Sequence, residues 1–133
     1  MKLVYLYLLT IPVFFGIDMI WLGFVARGFY RKHLGHLLRP DVNWAAAVVF
    51  YLLYILGILI FATMPALEKN SLRQAVLLGG LFGFFAYATY DLTNLATLKD
   101  WPVVVVWVDI AWGVFLTAGV AAASFFIGRW LMP

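Results

Sequence analysis

Long apolar stretches separated by short polar segments form the main pattern of the chain. A membrane-spanning helix needs about 20 mostly apolar residues at a rise of about 1.5 Å each. Four stretches meet this length: residues 3–26, 44–64, 73–97 and 102–127. The alternating units of about ten residues that form transmembrane β-strands do not occur. The pattern predicts an all-α integral membrane protein that folds as one domain, a four-helix transmembrane bundle over residues 1–133.

Residues with strong preferences for helix ends flank these stretches. Asn43 and Ser71 can accept hydrogen bonds from the first turns of the second and third helices, and Asp100 is placed to do the same for the fourth. We expect Pro65 to end the second helix, because proline has no N–H group and clashes with the preceding turn. The last two connections are short, so the helices that they join should run antiparallel.

The composition supports a membrane protein and narrows its chemistry. Of the 133 residues, 66% are hydrophobic and 11% are charged, whereas soluble domains carry about 25% charged residues. The chain has no cysteine, which excludes disulfides and cysteine nucleophiles. No phosphate-binding loop or hydrolase motif occurs. The sequence therefore predicts no cofactor, no metal site and no nucleic-acid partner, identifies no catalytic residue, and favours a binding or transport protein over an enzyme.

The first connection, residues 27–43, is long and basic. Its apolar side chains recur near helical spacing, which is typical of an amphipathic segment in the membrane interface, although a solvated loop fits the pattern equally well. The side chains expected to contact anionic lipid head groups are Arg27, Arg31, Lys32 and Arg39. Their concentration in one connection favours placing this side of the protein in the cytoplasm.

Three of the six acidic residues, Asp18, Asp91 and Asp109, lie inside the predicted spans. A charged side chain at the bilayer centre costs roughly 2.5–3.5 kcal/mol, so such residues usually face a protein interior or a watery cavity. Because neighbouring helices alternate in direction, each carboxyl group lies about 10–12 Å of helix from the side that carries the basic connection. The three carboxyl groups are therefore predicted at one depth.

Aromatic and amide side chains share helix faces with these carboxyl groups. A D-x-x-W spacing occurs in the first and fourth helices, and polar residues in the third recur at i, i+3, i+4 and i+7. The predicted pocket comprises Asp18, Trp21, Tyr51, Tyr54, Tyr87, Tyr90, Asp91, Asn94, Asp109 and Trp112. Such residues also join membrane helices by hydrogen bonds, which contribute about 0.6 kcal/mol each on average, so polar packing is the alternative to a pocket.

Four functions are compatible with these features. The leading one is binding of a membrane lipid or another small amphipathic molecule. The others are proton-coupled transport by an oligomer, with Asp91 or Asp18 carrying the proton, modification of a lipid, and a structural role in a larger complex. A second copy of the chain is a possible partner. The GxxxG frame of Gly79 and Gly83 is nevertheless expected to pack within one bundle rather than between copies.

Several short motifs occur together along the chain: DMIWLG at 18–23, ARGFYR at 26–31, YATYDLTN at 87–94 and DIAWG at 109–113. In combination they resemble a bacterial inner-membrane family catalogued only as domain of unknown function 2177. The resemblance extends over essentially the whole chain. It implies a small multi-pass protein of the bacterial inner membrane, and it supplies no activity, substrate or catalytic residue.

Overall fold

The computed structural model describes residues 1–38 and 40–132, and its dominant elements are four helices long and apolar enough to cross a membrane. These four spans are Lys2–Val25, Trp44–Glu68, Leu72–Thr97 and Val103–Leu131. A short helix, Arg27–Leu34, follows the first span and is called the basic helix below. The described part of the chain contains no strand. The predicted all-α, four-helix transmembrane fold is confirmed.

The second and fourth spans run past their predicted ends. The prediction that Pro65 ends the second helix is wrong, because the helix continues to Glu68. A π-helical turn, Leu59–Thr63, comes directly before the proline. Proline cannot donate to the carbonyl group four residues earlier, and the wider turn carries the chain past it without a break. The fourth span similarly continues to Leu131, beyond the predicted end at residue 127.

Two of the three predicted helix caps form. The side chains of Asn43 and Ser71 accept hydrogen bonds from backbone N–H groups three residues further on, at 3.1 and 3.2 Å. Asp100 does not cap the fourth span. Its φ of 61° makes it a left-handed turn residue, and the span begins after Pro102 with no hydrogen bond from a capping side chain. The tight turn into the fourth span thus determines the role of Asp100.

The third and fourth spans form the most extensive helix pair. A Cβ atom on Gly79 would lie 2.7 Å from the Cβ atom of Ala121, and one on Gly83 would overlap the backbone of Gly113. The close approach of the two backbones therefore depends on these glycines. The GxxxG frame packs inside the bundle, as its sequence context predicts.

The fourth span contacts each of the other three spans, and the main core gathers around it. Fully buried side chains from all four spans form this core, among them Phe14, Ile58, Ala75 and Leu116. Many large apolar side chains point outward instead, such as Phe115, which is 77% exposed. An apolar outer surface of this kind is suited to contact with lipid tails.

The basic helix packs against the start of the fourth span. A second, smaller core joins Leu34, Trp101, Val105 and Val106. Tyr30 is half-buried against this core, whereas Arg27, Arg31 and Lys32 are exposed. The predicted amphipathic segment is therefore a helix whose apolar face packs on the protein itself, and it covers one side of the bundle.

Candidate functional site

A cavity of about 650 Å³ lies between the basic helix and the four spans. This volume is within the range of about 300–1,000 Å³ that is usual for small-molecule sites. Every span contributes to the lining. The predicted pocket residues that line the cavity are Asp18, Trp21, Tyr51, Tyr87, Tyr90, Asp109 and Trp112. Sequence spacing thus brings most of the predicted pocket to one place in the structure.

Asp109 is held by a chain of hydrogen bonds that starts in the first span. The indole N–H of Trp21 donates to the hydroxyl group of Tyr30 at 3.2 Å, and that hydroxyl group donates to Oδ1 of Asp109 at 2.8 Å. Burial first, and the neighbouring Asp109 second, raise the pKa of Tyr30 well above its ordinary value of 10.0. Tyr30 therefore remains a protonated donor at neutral pH, and it ties the basic helix to the fourth span.

Asp18 in the first span is held by a side chain of the fourth span. The indole N–H of Trp112 donates to Oδ1 of Asp18 at 3.4 Å, and Tyr51 interacts with the same carboxyl group. The indole rings of Trp112 and Trp21 stack with centroids 4.5 Å apart and planes 8° from parallel. The D-x-x-W spacing predicts each tryptophan beside the aspartate of its own helix. The hydrogen bond of Trp112 instead crosses from the fourth span to the first, and Trp21 is linked to Asp109 only through Tyr30.

Asp91 does not line the cavity. Its side chain is fully buried, and neither carboxyl oxygen has a hydrogen-bond partner within the described residues. The carboxyl group of Asp109 is close enough to interact with it electrostatically. A buried carboxyl group without a partner costs free energy of folding. Stability therefore does not account for an aspartate at this position.

Tyr54 and Asn94 belong to the predicted pocket but do not line the cavity. The hydroxyl groups of Tyr54 and Thr117 share a buried hydrogen bond of 2.7 Å that joins the second and fourth spans. Asn94 is half-buried and interacts with Tyr90. Residues three apart on a helix point in directions that differ by about 60°. Tyr51 can therefore face the cavity while Tyr54 faces the core.

Three of the four basic residues predicted to contact a head group lie outside the cavity. Arg27, Arg31 and Lys32 are exposed and do not line it. Arg39 lies outside the described residues. Within the described part of the chain, the only acidic or basic residues in the lining are Asp18 and Asp109. The cavity is therefore acidic and aromatic.

Sequence reasoning missed the contribution of the first connection. Tyr30, Leu34, Leu38 and Val42 line the cavity, and so does Trp101 at the start of the fourth span. The available signal was the apolar face of the basic helix, on which Tyr30 and Leu34 are four residues apart. Such a face needs a covering partner, but its sequence does not distinguish a lipid surface from the bundle itself.

No curated protein and no solved structure shows a significant match to the chain. Residues 3–126 match a protein family described as "Predicted membrane protein (DUF2177)". The matched region begins in the first span and ends in the fourth, so it includes the basic helix and every residue described here as lining the cavity. The chain therefore belongs to the DUF2177 family of predicted membrane proteins.

Proposed function

We propose that this membrane protein binds a lipid or another small amphipathic molecule in its intramembrane cavity. The observation that carries the proposal is a space of about 650 Å³ in which two carboxyl groups and several aromatic rings meet apolar walls. A ligand with one polar group and an apolar portion matches this lining. Its polar group would meet Asp18 and Asp109, and its apolar portion would contact side chains such as Leu22 and Val105.

Polar packing alone is a weaker explanation of these residues. Hydrogen bonds between membrane helices do occur elsewhere in the bundle, as between Thr63 and Ser124 at 2.7 Å, but there the two hydroxyl groups are fully buried against each other. Asp18 and Asp109 instead border open space. An ionised carboxylate has about four acceptor sites. The hydrogen bonds from Trp112 and Tyr30 therefore leave acceptor sites free for a ligand.

We further propose that the protein resides in the inner membrane of a bacterium, with the basic connection on the cytoplasmic side. The motifs at 18–23 and 87–94 support the first part, through their resemblance to a bacterial family. The concentration of Arg27, Arg31 and Lys32 in one connection supports the second part. Labelling of a cysteine introduced at Gly28 from either side of the membrane tests this orientation.

A cavity-filling substitution tests the binding function. Ala86 lines the cavity on the third span, and Ala96 is an exposed residue of the same helix. We expect native mass spectra of the purified protein to show a discrete bound molecule that Ala86→Phe removes and Ala96→Phe retains. Circular dichroism of both variants verifies the helical fold. Bulk lipids in bulk proportions, equally retained by both variants, would contradict the proposal.

Proton-coupled transport is a second candidate, favoured by the fully buried and unpaired carboxyl group of Asp91. A carboxyl group in this position, next to Asp109 and close to a cavity, is suited to carry a proton in step with a solute. Solute flux into proteoliposomes under a pH gradient tests it. Asp91→Asn should abolish the dependence of flux on the gradient, and Asp100→Asn in an exposed turn should leave it unchanged.

A further inference from the structure

The charge of the cavity defines the class of ligand more closely, an inference that rests on the proposed binding function. We propose that the polar group of the ligand is an organic cation, an ammonium group carried by an amphipathic molecule. The juxtaposition that supports this is an acidic lining surrounded by aromatic rings. A lipid with an amine head group and a free amphipathic amine share this chemistry.

The carboxyl groups at the cavity lack a positive counterpart in the described structure. Asp18 and Asp109 are only 5% and 8% exposed, and no basic side chain lines the cavity among the described residues. The groups that interact with them are neutral: the indole of Trp112 and the phenol of Tyr51 at Asp18, and the phenol of Tyr30 at Asp109. Neutral donors stabilise a carboxylate without cancelling its charge. In surroundings of low dielectric constant a cationic ligand would be attracted strongly.

The unpaired carboxyl group of Asp91 is an independent observation that points the same way. It is fully buried, neither of its oxygens has a hydrogen-bond partner among the described residues, and it interacts with the carboxyl group of Asp109, which lines the cavity. Two neighbouring buried carboxyl groups resist ionising together, because each negative charge disfavours the other. A bound cation would favour ionisation of the pair, whereas an anion would oppose it.

The aromatic lining favours the same class of ligand. The stacked indoles of Trp21 and Trp112 line the cavity together with Tyr51, Tyr87 and Tyr90. Aromatic faces attract cations that lie within about 6 Å of the ring centroid, and they are the usual recognition element for quaternary ammonium groups. The same negative faces disfavour an anionic group. An anionic head group is therefore not expected inside the cavity.

Three probes with one common tail test the charge of the ligand. They are a phenylalkyl trimethylammonium ion, its uncharged isostere ending in a tert-butyl group, and the corresponding phenylalkyl sulfonate. Their affinities for the full chain in neutral detergent can be measured by quenching of tryptophan fluorescence. We expect the ammonium ion to bind at least about tenfold more tightly than its isostere, and the sulfonate to bind most weakly.

Substitutions assign this selectivity to the cavity. Asp18→Asn and Asp109→Asn should each lower the ratio of ammonium to isostere affinity about tenfold, while the affinity for the isostere stays unchanged. Asp100→Asn is the matched control in an exposed turn and should leave both affinities unchanged. Because the isostere reports on the shape of the cavity, its retained binding shows that a variant is folded. The ratio in the wild-type protein remains a test even where a variant fails to fold.

The remaining outcomes distinguish a failure of the cationic ligand class from a failure of the binding function. Equal affinity for the ammonium ion and its isostere, or tightest binding of the sulfonate, would overturn the cationic class and leave the binding function in place. Binding of none of the three probes would overturn both. Displacement of the ammonium probe by a short-chain phosphatidylethanolamine, but not by phosphatidylglycerol, would support a lipid head group as the source. Retention of the probe against both lipids would support a free amine.

Discussion

The hydroxyl group of Tyr30 donates a hydrogen bond of 2.8 Å to Oδ1 of Asp109, which joins the basic helix to the fourth span. The same hydroxyl group accepts a hydrogen bond from Trp21 in the first span. The basic helix covers one side of the cavity, and Tyr30 and Leu34 line that side. Docking of this helix and access to the cavity therefore depend on the same contacts.

Removal of the Tyr30 hydroxyl group should loosen the basic helix. Tyr30→Phe keeps the ring but loses the hydrogen bond to Asp109, so we expect the free energy of unfolding to fall by about 1–2 kcal/mol. Hydrogen–deuterium exchange of the amides in Arg27–Leu34 should become faster. Tyr5→Phe, at an exposed tyrosine in the first span, is the control. Equal exchange in the two variants would show that this bond does not hold the helix in place.

Two tyrosines on the second span should separate binding from stability. Tyr51 lines the cavity and interacts with Asp18, whereas Tyr54 bonds to Thr117 in the core. Tyr51→Phe should weaken binding of the ammonium probe with little effect on thermal unfolding. Tyr54→Phe should lower stability by roughly 0.6–1.7 kcal/mol, the range measured for bonds between membrane helices, and leave probe affinity unchanged. Thermal unfolding and fluorescence titration of both variants measure the contrast, and a reversed pattern would contradict the assigned positions.

Glycines at the contact between the third and fourth spans should tolerate no side chain. Gly83→Ala would place a methyl group against Gly113 and Thr117, so we expect a loss of about 1–3 kcal/mol of stability. A Cβ atom on Gly119 would have open space within 4 Å, so Gly119→Ala should change stability little. Thermal unfolding and size-exclusion chromatography compare the two variants. A change of oligomeric state in Gly83→Ala without loss of stability would indicate an interface between copies instead.

The fold was largely predictable because helix-forming apolar stretches of membrane length have few alternatives in a bilayer. The four spans and the caps at Asn43 and Ser71 follow from local sequence. The end of the second span was misplaced, since the π turn before Pro65 depends on backbone geometry that the residue pattern does not encode. Similarly, the role of Asp100 is determined by its left-handed backbone conformation.

The depth of the candidate site along the helices could be predicted from the sequence, but the set of side chains that face the cavity could not. Counting residues from the helix ends brings Asp18 and Asp109 to one level, and both line the cavity. Helix rotation decides which residues face it, and this is a property of packing between helices. Rotation separates Tyr51 from Tyr54, and Asp91 is buried without lining the cavity. The partner of the basic helix likewise depends on tertiary contacts that a single sequence does not specify.

The buried carboxyl group of Asp91 should lower the stability of the protein. Both of its oxygens lack a hydrogen-bond partner within the described residues, and it adjoins the carboxyl group of Asp109. Asp91→Asn keeps the shape of the side chain, removes its capacity to carry a negative charge, and supplies an amide N–H that can donate to the neighbouring carboxyl group of Asp109. We therefore expect the free energy of unfolding to rise by about 1 kcal/mol. Asp100→Asn, in an exposed turn, should change it by no more than about 0.5 kcal/mol.

A gain of stability in Asp91→Asn gives the residue a functional meaning only if an activity is lost with it, since functional sites often retain groups that destabilise the fold. Thermal unfolding should be recorded together with probe affinity and gradient-dependent flux for the same preparation. Higher stability together with a loss of probe affinity or of gradient-dependent flux would show that Asp91 takes part in binding or in transport. Lower stability would show instead that Asp91 contributes favourable interactions in the folded bundle, and the argument from its unpaired oxygens would be wrong.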